Sequence, residues 1–382
     1  VKKVLFVATV SQHFFYFHQP CFELFKKHGW EVHVACSGDH TLEFVDKRFN
    51  LPFSRSPISL QNIIVYKKLK QIINENKYEI IHCHTPVGGV LTRLAARKAR
   101  KSGTKVIYTA HGFHFFKGAS LSGWCIFYPI ECFLARFTDC LITINSEDYS
   151  IAERKLQCHK VELIHGVGCD NERFCKAGSE EKQLIRKQLG YSPDEKILIY
   201  VAELNKNKNQ SMLIRAVKQL KDKGKSVRLL LVGPDNARGI YSKLAKKLGV
   251  EGNIDFLGRR DDVNILLKAC DIAVASSLRE GLPVNIMESM TSGLPIVASD
   301  NRGHRELVWD TVTGFLTKPD NSCEMADKIS LLLDDKALYE RMSENAVKAV
   351  APYCKANVLS ELEKIYSEFC EASMVRIKNI LL

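Results

Sequence analysis

Two carboxylates, Glu280 and Glu288, bracket the run Gly281-Leu282-Pro283-Val284-Asn285-Ile286-Met287. The apolar stretch Asp271–Ala275 precedes them through Ser276-Ser277, and a helical pattern, Asn285–Thr291, follows. The motif therefore joins a strand to a helix. Gly281 admits close backbone approach, and the free N–H groups of a helix N-terminus attract anions. One carboxylate before the helix and one in its first turns can grip hydroxyls on either side of a bound phosphate. The plainer alternative is that Glu280 caps the helix and Glu288 is solvated, since acids are favoured at helix starts. A second candidate, Lys208, lies in Ala202–Asn209, directly after the apolar run Ile197–Val201. A cation there is suited to neutralise a leaving anion, against the alternative of a solvated basic loop. A third, His111, lies just past Lys105–Thr109, where a neutral imidazole can steady a hydroxyl without adding charge. His82 and His84 share one face of a strand, a two-ligand geometry, but no third ligand is evident. No metal or other cofactor is expected, and His84 reads as structural or acceptor-side.

Other chemistries lose their support in the sequence. The turn Ala8–Gln12 has no glycine, which excludes the dinucleotide-binding fingerprint. Gly224-Lys225-Ser226 imitates the end of a P-loop, but Gln219 occupies the place of its upstream glycine. No Asp-x-Asp occurs. Thirteen cysteines without one Cys-x-x-Cys write neither a zinc cage nor a disulfide framework, and fit a reducing cytoplasm. The start, Val1–Val10, imitates a signal peptide but lacks a small-residue cleavage site and reads better as a buried strand. No stretch reaches eighteen apolar residues.

The elements that must position these residues alternate regularly. Strands are expected at Val4–Ala8, Glu31–Cys36, Ile80–Cys83, Lys105–Thr109, Cys140–Ile144 and Val161–Ile164. A second series runs Ile197–Ala202, Arg228–Val232, Ile254–Phe256, Ile272–Ala275, Pro295–Ala298 and Gly314–Leu316. Helical patterns such as Pro20–His28, Val87–Lys101 and Gln210–Lys223 lie between them. Two successive βα series in 382 residues predict an α/β protein of two doubly wound parallel-sheet domains. The expected division is 1–175, 176–353 and a helical tail, 354–382, packing back on the first domain. Ligands of such sheets sit beyond the carboxyl ends of the strands, where all three candidates fall.

Glu280 and Glu288 match the E-x7-E motif of the family 4 glycosyltransferases, which the chain resembles from the first strand to about Tyr353. The resemblance implies a GT-B architecture, two Rossmann-like domains facing across a cleft, and retaining transfer from a nucleoside diphosphate sugar, UDP above all. It implies that Glu280 contacts the transferred sugar, Glu288 holds the ribose, and Gly281, Leu282 and Pro283 lie against sugar and phosphate. Pro283 stands where many members carry Gly and removes one N–H donor. Ala202–Asn209 resembles the family's diphosphate loop, with Lys208 on its lysine and Asn205 beside it. Glu203 replaces the usual Arg, leaving Lys206 as a substitute. His111 matches the histidine that hydrogen-bonds the donor sugar, and Leu257 and Arg259 fall in the loop that receives the nucleobase. Asp300–Glu306 resembles a late family loop of structural character.

The acceptor is expected on the N-terminal domain, with His84, Phe14, Phe113 and His114 on its acceptor side. The aromatic clusters Phe14–Phe17 and Phe113–Tyr128 read either as core or as a bed for an interface or polyprenyl chain. The composition is that of a folded protein, with 46% hydrophobic and 26% charged residues. Its net charge of +12 points to a polyanionic partner, and +8 of it lies in residues 1–175. Arg93, Arg97, Lys98, Arg100, Lys101 and Lys105 form a run without one acid. The expected partners are thus a nucleotide sugar, a lipid-linked or oligosaccharide acceptor and an anionic membrane surface at its inner face. A solvated helix face is the alternative for the basic run. A sugar-nucleotide epimerase of the same fold is the first rival. A nucleic-acid binder is the second and has no recognition motif.

Overall fold

The structure is a computed structural model that describes residues 1–370. It divides into an N-terminal unit, Val1–Gly168 with the chain from Ala356 onward, and a C-terminal unit, Cys169–Lys355. The first division falls before the expected 175 because Cys169 is tied into the C-terminal unit. Its N–H donates to the Tyr353 carbonyl at 2.8 Å, and its own carbonyl accepts from Lys355 at 3.0 Å.

In the N-terminal unit, seven parallel strands form one sheet: β1 (Lys3–Val10), β2 (Glu31–Ser37), β3 (Lys47–Asn50), β4 (Ile80–His84), β5 (Lys105–Ala110), β6 (Cys140–Thr143) and β7 (Val161–Leu163). Their order is β3-β2-β1-β4-β5-β6-β7. β1, β4 and β5 are mostly apolar and buried along nearly their whole length because both faces of a doubly wound sheet are covered. β3, with exposed or half-buried Lys47-Arg48-Phe49-Asn50, is an edge strand that apolar periodicity does not announce. Order reverses between β1 and β4, and the two strand ends are pinned there. The Thr9 N–H donates to Thr85 Oγ1 at 3.1 Å, and the two hydroxyls lie 2.7 Å apart. Gly89 lets the helix Pro86–Ala95 lie flat on the sheet, since a Cβ there would meet the Tyr108 ring at 2.5 Å.

The C-terminal unit repeats the plan with six strands: β8 (Ile197–Val201), β9 (Arg228–Val232), β10 (Ile254–Gly258), β11 (Ile272–Ala275), β12 (Ile296–Ser299) and β13 (Gly314–Thr317). The order β10-β9-β8-β11-β12-β13 is again parallel and doubly wound, reversing between β8 and β11. The expected α/β class is therefore the observed one.

Several local expectations change. Ser11–Phe17 is a helix, and Val87–Lys101 is two helices (Pro86–Ala95 and Arg97–Lys101). The last described helix, Lys355–Phe369, belongs largely to the N-terminal unit: Tyr366 is fully buried, and its hydroxyl lies 2.7 Å from His82 Nδ1. The rest of the expected helical tail, from residue 371, lies outside the described residues.

Candidate active site

The loops that leave β8 and β11 are laced together beyond the switch point of the second sheet. Leu278 donates its N–H to the Asn207 carbonyl at 2.8 Å, and Ser276 Oγ donates to the Lys208 carbonyl at 2.8 Å. The Lys208 N–H donates in turn to Asn205 Oδ1 at 2.9 Å. These bonds bring the side chains of Lys208 and Glu280 together, with Nζ donating to Oε1 at 2.6 Å. Such charge-assisted contacts are short and strong, and partial burial shields this one from solvent screening. Behind Glu280, Arg302 Nε donates to its carbonyl at 3.1 Å. Gly303 allows the close approach, because a Cβ there would come within 2.7 Å of the Glu280 Cβ. Asn301 caps the helix Arg302–Leu307 and donates from Nδ2 to the Ser277 carbonyl at 2.9 Å. Burial lowers the pKa of nearby His304, although Glu280 pulls it upward.

The helix after Glu280 runs Val284–Thr291 with Pro283 at its N-cap, and no side chain satisfies its first N–H groups. Glu280 is therefore not its cap, and those donors stay available to an anion. Glu288 lies one turn inside this helix and is half-buried. Burial pushes its carboxyl up to about 7, against the opposing pull of Arg173.

At the switch point of the first sheet the groups are imidazoles. His84 ends β4, His13 and His18 come from the segment after β1, and His111 follows β5. His18 Nε2 lies 3.0 Å from His13 Nε2, and His84 Nδ1 lies 3.4 Å from His111 Nε2. The His18 and His84 ring centroids are 4.1 Å apart. His84 is fully buried and stacks parallel to Phe6. Burial is the first cause of a lowered pKa at all four, and holds His111 down to about 4.

Comparison with known proteins decides the family. The model of the glycosyl transferases group 1 matches residues 181–349, and that of the glycosyl transferase 4-like domain matches residues 3–145. EpsD of Bacillus subtilis (strain 168), a protein named as a glycosyltransferase, is 46% identical over 97% of each chain. The chain belongs to the group 1, family 4-like glycosyltransferases. A second relative of this glycosyltransferase is the UDP-Gal:alpha-D-GlcNAc-diphosphoundecaprenol alpha-1,3-galactosyltransferase of Escherichia coli, 27% identical over 90% of each chain. Among solved structures, Anabaena Alr3699/HepE in complex with UDP and glucose superposes with a TM-score of 0.78, at 22% identity. It covers 96% of this chain and 100% of its own, which shows the shared GT-B fold.

Within this glycosyltransferase, the residues expected from sequence fall into separate groups. Asn205, Lys208, Glu280, Gly281, Leu282 and Pro283 share the β8/β11 loops. Glu288 lies on the following helix, where Arg173, Asp170 and Lys355 are the charges that bear on it. Leu257 and Arg259 sit at the end of edge strand β10, two strands from the switch point, with Leu257 inside the strand rather than after it. Glu203 takes hydrogen bonds from Asn205 and Asn236, and Lys206 is exposed. In the N-terminal unit, Phe14 is buried against Phe6 and Phe22, and Phe113 is buried against Phe115. His114 stacks on Phe127. His82 is no partner in a metal pair: its nitrogens face Tyr366 and Thr109. His13 and His18, which flank the Phe14–Phe17 cluster, are the residues that sequence reasoning passed over. Asn301 was missed as well, although an Asn followed by a helical pattern is a cap signal.

Proposed function

We propose that the chain is a retaining transferase that moves a hexose-type sugar from a nucleoside diphosphate sugar, UDP-linked, to a hydroxyl of a lipid-linked glycan in cell-surface polysaccharide synthesis. The observation that carries this reading is the Lys208–Glu280 pair at the β8/β11 switch point. A diphosphate arriving there exchanges Glu280 for phosphate oxygens on Lys208, and frees the Glu280 carboxylate to accept hydrogen bonds from sugar hydroxyls. As the glycosidic bond breaks, negative charge grows on the diphosphate. Lys208 and the uncapped N–H groups of Val284–Thr291 meet that charge already in place. Glu288 binds the ribose, Leu257 and Arg259 receive the base, and His111 orients the sugar as a neutral imidazole. No side chain acts as nucleophile. The incoming hydroxyl attacks from the face the diphosphate leaves, with its proton passing to the departing phosphate. This chemistry routes no step through a divalent cation on the diphosphate.

The Escherichia coli relative, named for galactosyl transfer from UDP-Gal to a GlcNAc-diphosphoundecaprenol acceptor, supports both the donor and the acceptor class. The test is UDP-sugar thermal shift and turnover with Lys208→Ala and Glu288→Ala, assayed against a lipid-linked acceptor extract. Both should weaken donor binding, and full affinity with full turnover in both variants would refute the donor site. NMR of the donor without acceptor separates transfer from epimerisation.

The same reading places the chain on an anionic membrane surface, and the basic run supports it in reduced form. Arg93 is buried in a bidentate pair with Glu131, and Arg100 is engaged by Asp139, so acids from elsewhere in the chain remove two of the six cations. Arg97, Lys98 and Lys101 stay exposed. Arg97 lies over Phe137, whose ring meets exposed Phe133 at 5.3 Å, and Leu121, Ile126 and Ile130 are exposed too. Cations near anionic lipid contribute about 1 kcal/mol each, and apolar side chains beside them add burial in the interface. Among the described residues no helix is long and apolar enough to cross a membrane. Flotation with phosphatidylglycerol vesicles should bind the chain, and Lys98→Glu with Lys101→Glu should release it. Equal flotation with neutral vesicles would reject the electrostatic part.

A further inference from the structure

We infer that His13, His18, His84 and His111 form a binding site for one late transition-metal ion, of which Zn2+ is the representative, at the β1/β4 switch point of the N-terminal unit. One ring nitrogen from each residue lies within 4.8 Å of one from every other, an arrangement of four potential ligands drawn from three separate chain segments. Tetrahedral zinc with its usual Zn–N bonds has ligand–ligand edges of about 3.4 Å. The His18–His13 and His84–His111 contacts, at 3.0 and 3.4 Å, already match that edge, and only the wider ones need to contract. An all-imidazole set suits Zn, Cu, Fe and Ni rather than Mg or Ca, which take oxygen ligands.

The surroundings of the four rings suit a metal site rather than a set of solvated histidines. The positions are held in advance. His84 ends a fully buried strand against Phe6, and His18 lies where the helix Ser11–Phe17 meets the helix Gln19–Lys27. No such support would be needed for solvated histidines.

The site does not depend on the transferase reading, but it bears on it. His111 turns Nε2 toward His84. Ligation through Nε2 leaves the proton on Nδ1, which fixes the tautomer and makes His111 an N–H donor. That is a positioning role, with the ion well apart in kind from one that bridges phosphates.

The experiment uses the full, tag-free chain and the metal alone. Zinc content is measured by mass spectrometry after dialysis against EDTA and reloading with ZnCl2. Thermal midpoints are recorded in each state, and CoCl2 loading is followed by its visible absorption. The expected result is one ion per chain, a midpoint that falls on chelation and recovers on reloading, and a tetrahedral cobalt spectrum. His13→Gln, at a half-buried position that tolerates change, and His18→Gln should each weaken Zn2+ binding by at least about tenfold. His159→Gln, at an exposed histidine outside the cluster, should bind as the parent does. Absence of retained ion in the parent chain, a midpoint indifferent to chelation, or unchanged Zn2+ affinity in His13→Gln would each overturn the proposal. None of these readouts uses the sugar donor, so failure of the donor site and failure of the metal site are told apart.

Discussion

The two sheets share one strand order at their centres, and each gathers side chains able to hold a ligand where that order reverses, yet the chemistry at the two places is opposite. Beyond β8 and β11 stands a charged pair, Lys208 and Glu280, held by loops and open to exchange. Beyond β1 and β4 stand imidazoles, two buried and two half-buried, set on helices and strand ends. The N-terminal unit puts its buried charge elsewhere, in Arg93 and Glu131, where the guanidinium also lies 4.0 Å from the Tyr108 ring centroid. The same scaffold position therefore dictates where a ligand can be held, while the side chains decide what kind. A mobile anion suits a charge that can change partners, and a fixed group suits neighbours that do not move.

Removing charge should affect the two units differently. Arg93→Met leaves the buried Glu131 carboxylate without its partner, and breaking a buried pair from one side costs about 3–5 kcal/mol. Urea unfolding should register that loss. A change below about 1 kcal/mol would show that Glu131 finds solvent or another cation, and would weaken the contrast between fixed and exchangeable charge. Lys208→Met should behave the other way, lowering turnover by about 10²–10³-fold with the unfolding midpoint nearly unchanged. A large loss of stability with little loss of turnover would make the pair a structural feature like its N-terminal counterpart.

Glu288 refines the contrast within the C-terminal unit, because burial rather than pairing governs it. Its carboxyl is raised from 4.5 to about 7, so the folded chain keeps a proton that the unfolded chain gives up between those values. The stability this contributes is full below about 4.5 and is lost as pH rises through 7. Glu288→Gln should accordingly stabilise the donor-free chain by roughly 3 kcal/mol at pH 8 and by less than about 1 kcal/mol at pH 5. Thermal melts at the two values check this, and an equal effect at both would remove burial as the cause.

These contrasts were unequally visible in the sequence. Mostly apolar strands made the two sheets legible, and Lys208 and Glu280 were legible because each lies in a loop that leaves such a strand, with Glu288 in the helix that follows. The exposed edge β3 and the helix Ser11–Phe17 were not, since neither carries a clean apolar period. The histidine cluster was hidden for another reason. His82 and His84 form the pattern that sequence reading notices, but a pleated strand that shares a face can still hand its residues to different partners. His82 goes to Tyr366 and Thr109, while His84 meets residues 13, 18 and 111, which no local spacing links to it. The acid-free run 93–105 misled similarly, because Glu131 and Asp139 reach it only through the fold.

The smallest effect concerns the border between fixed and exchangeable groups. His82 points away from the imidazole cluster to the Tyr366 hydroxyl at 2.7 Å and to Thr109 Oγ1 at 2.8 Å, so both of its nitrogens are matched. Tyr366→Phe keeps the ring packed against Phe25 but leaves His82 Nδ1 without a partner. Removing one partner from a buried polar pair costs about 1–2 kcal/mol, and the imidazole cannot avoid the loss by changing tautomer, because each nitrogen would still need its own match. Hydrogen exchange in β4 and in the helix Lys355–Phe369 should rise together, since this bond joins them. If only the helix loosens, β4 and its histidines are held independently of the chain's end, and the N-terminal switch point is more rigid than this pairing implies.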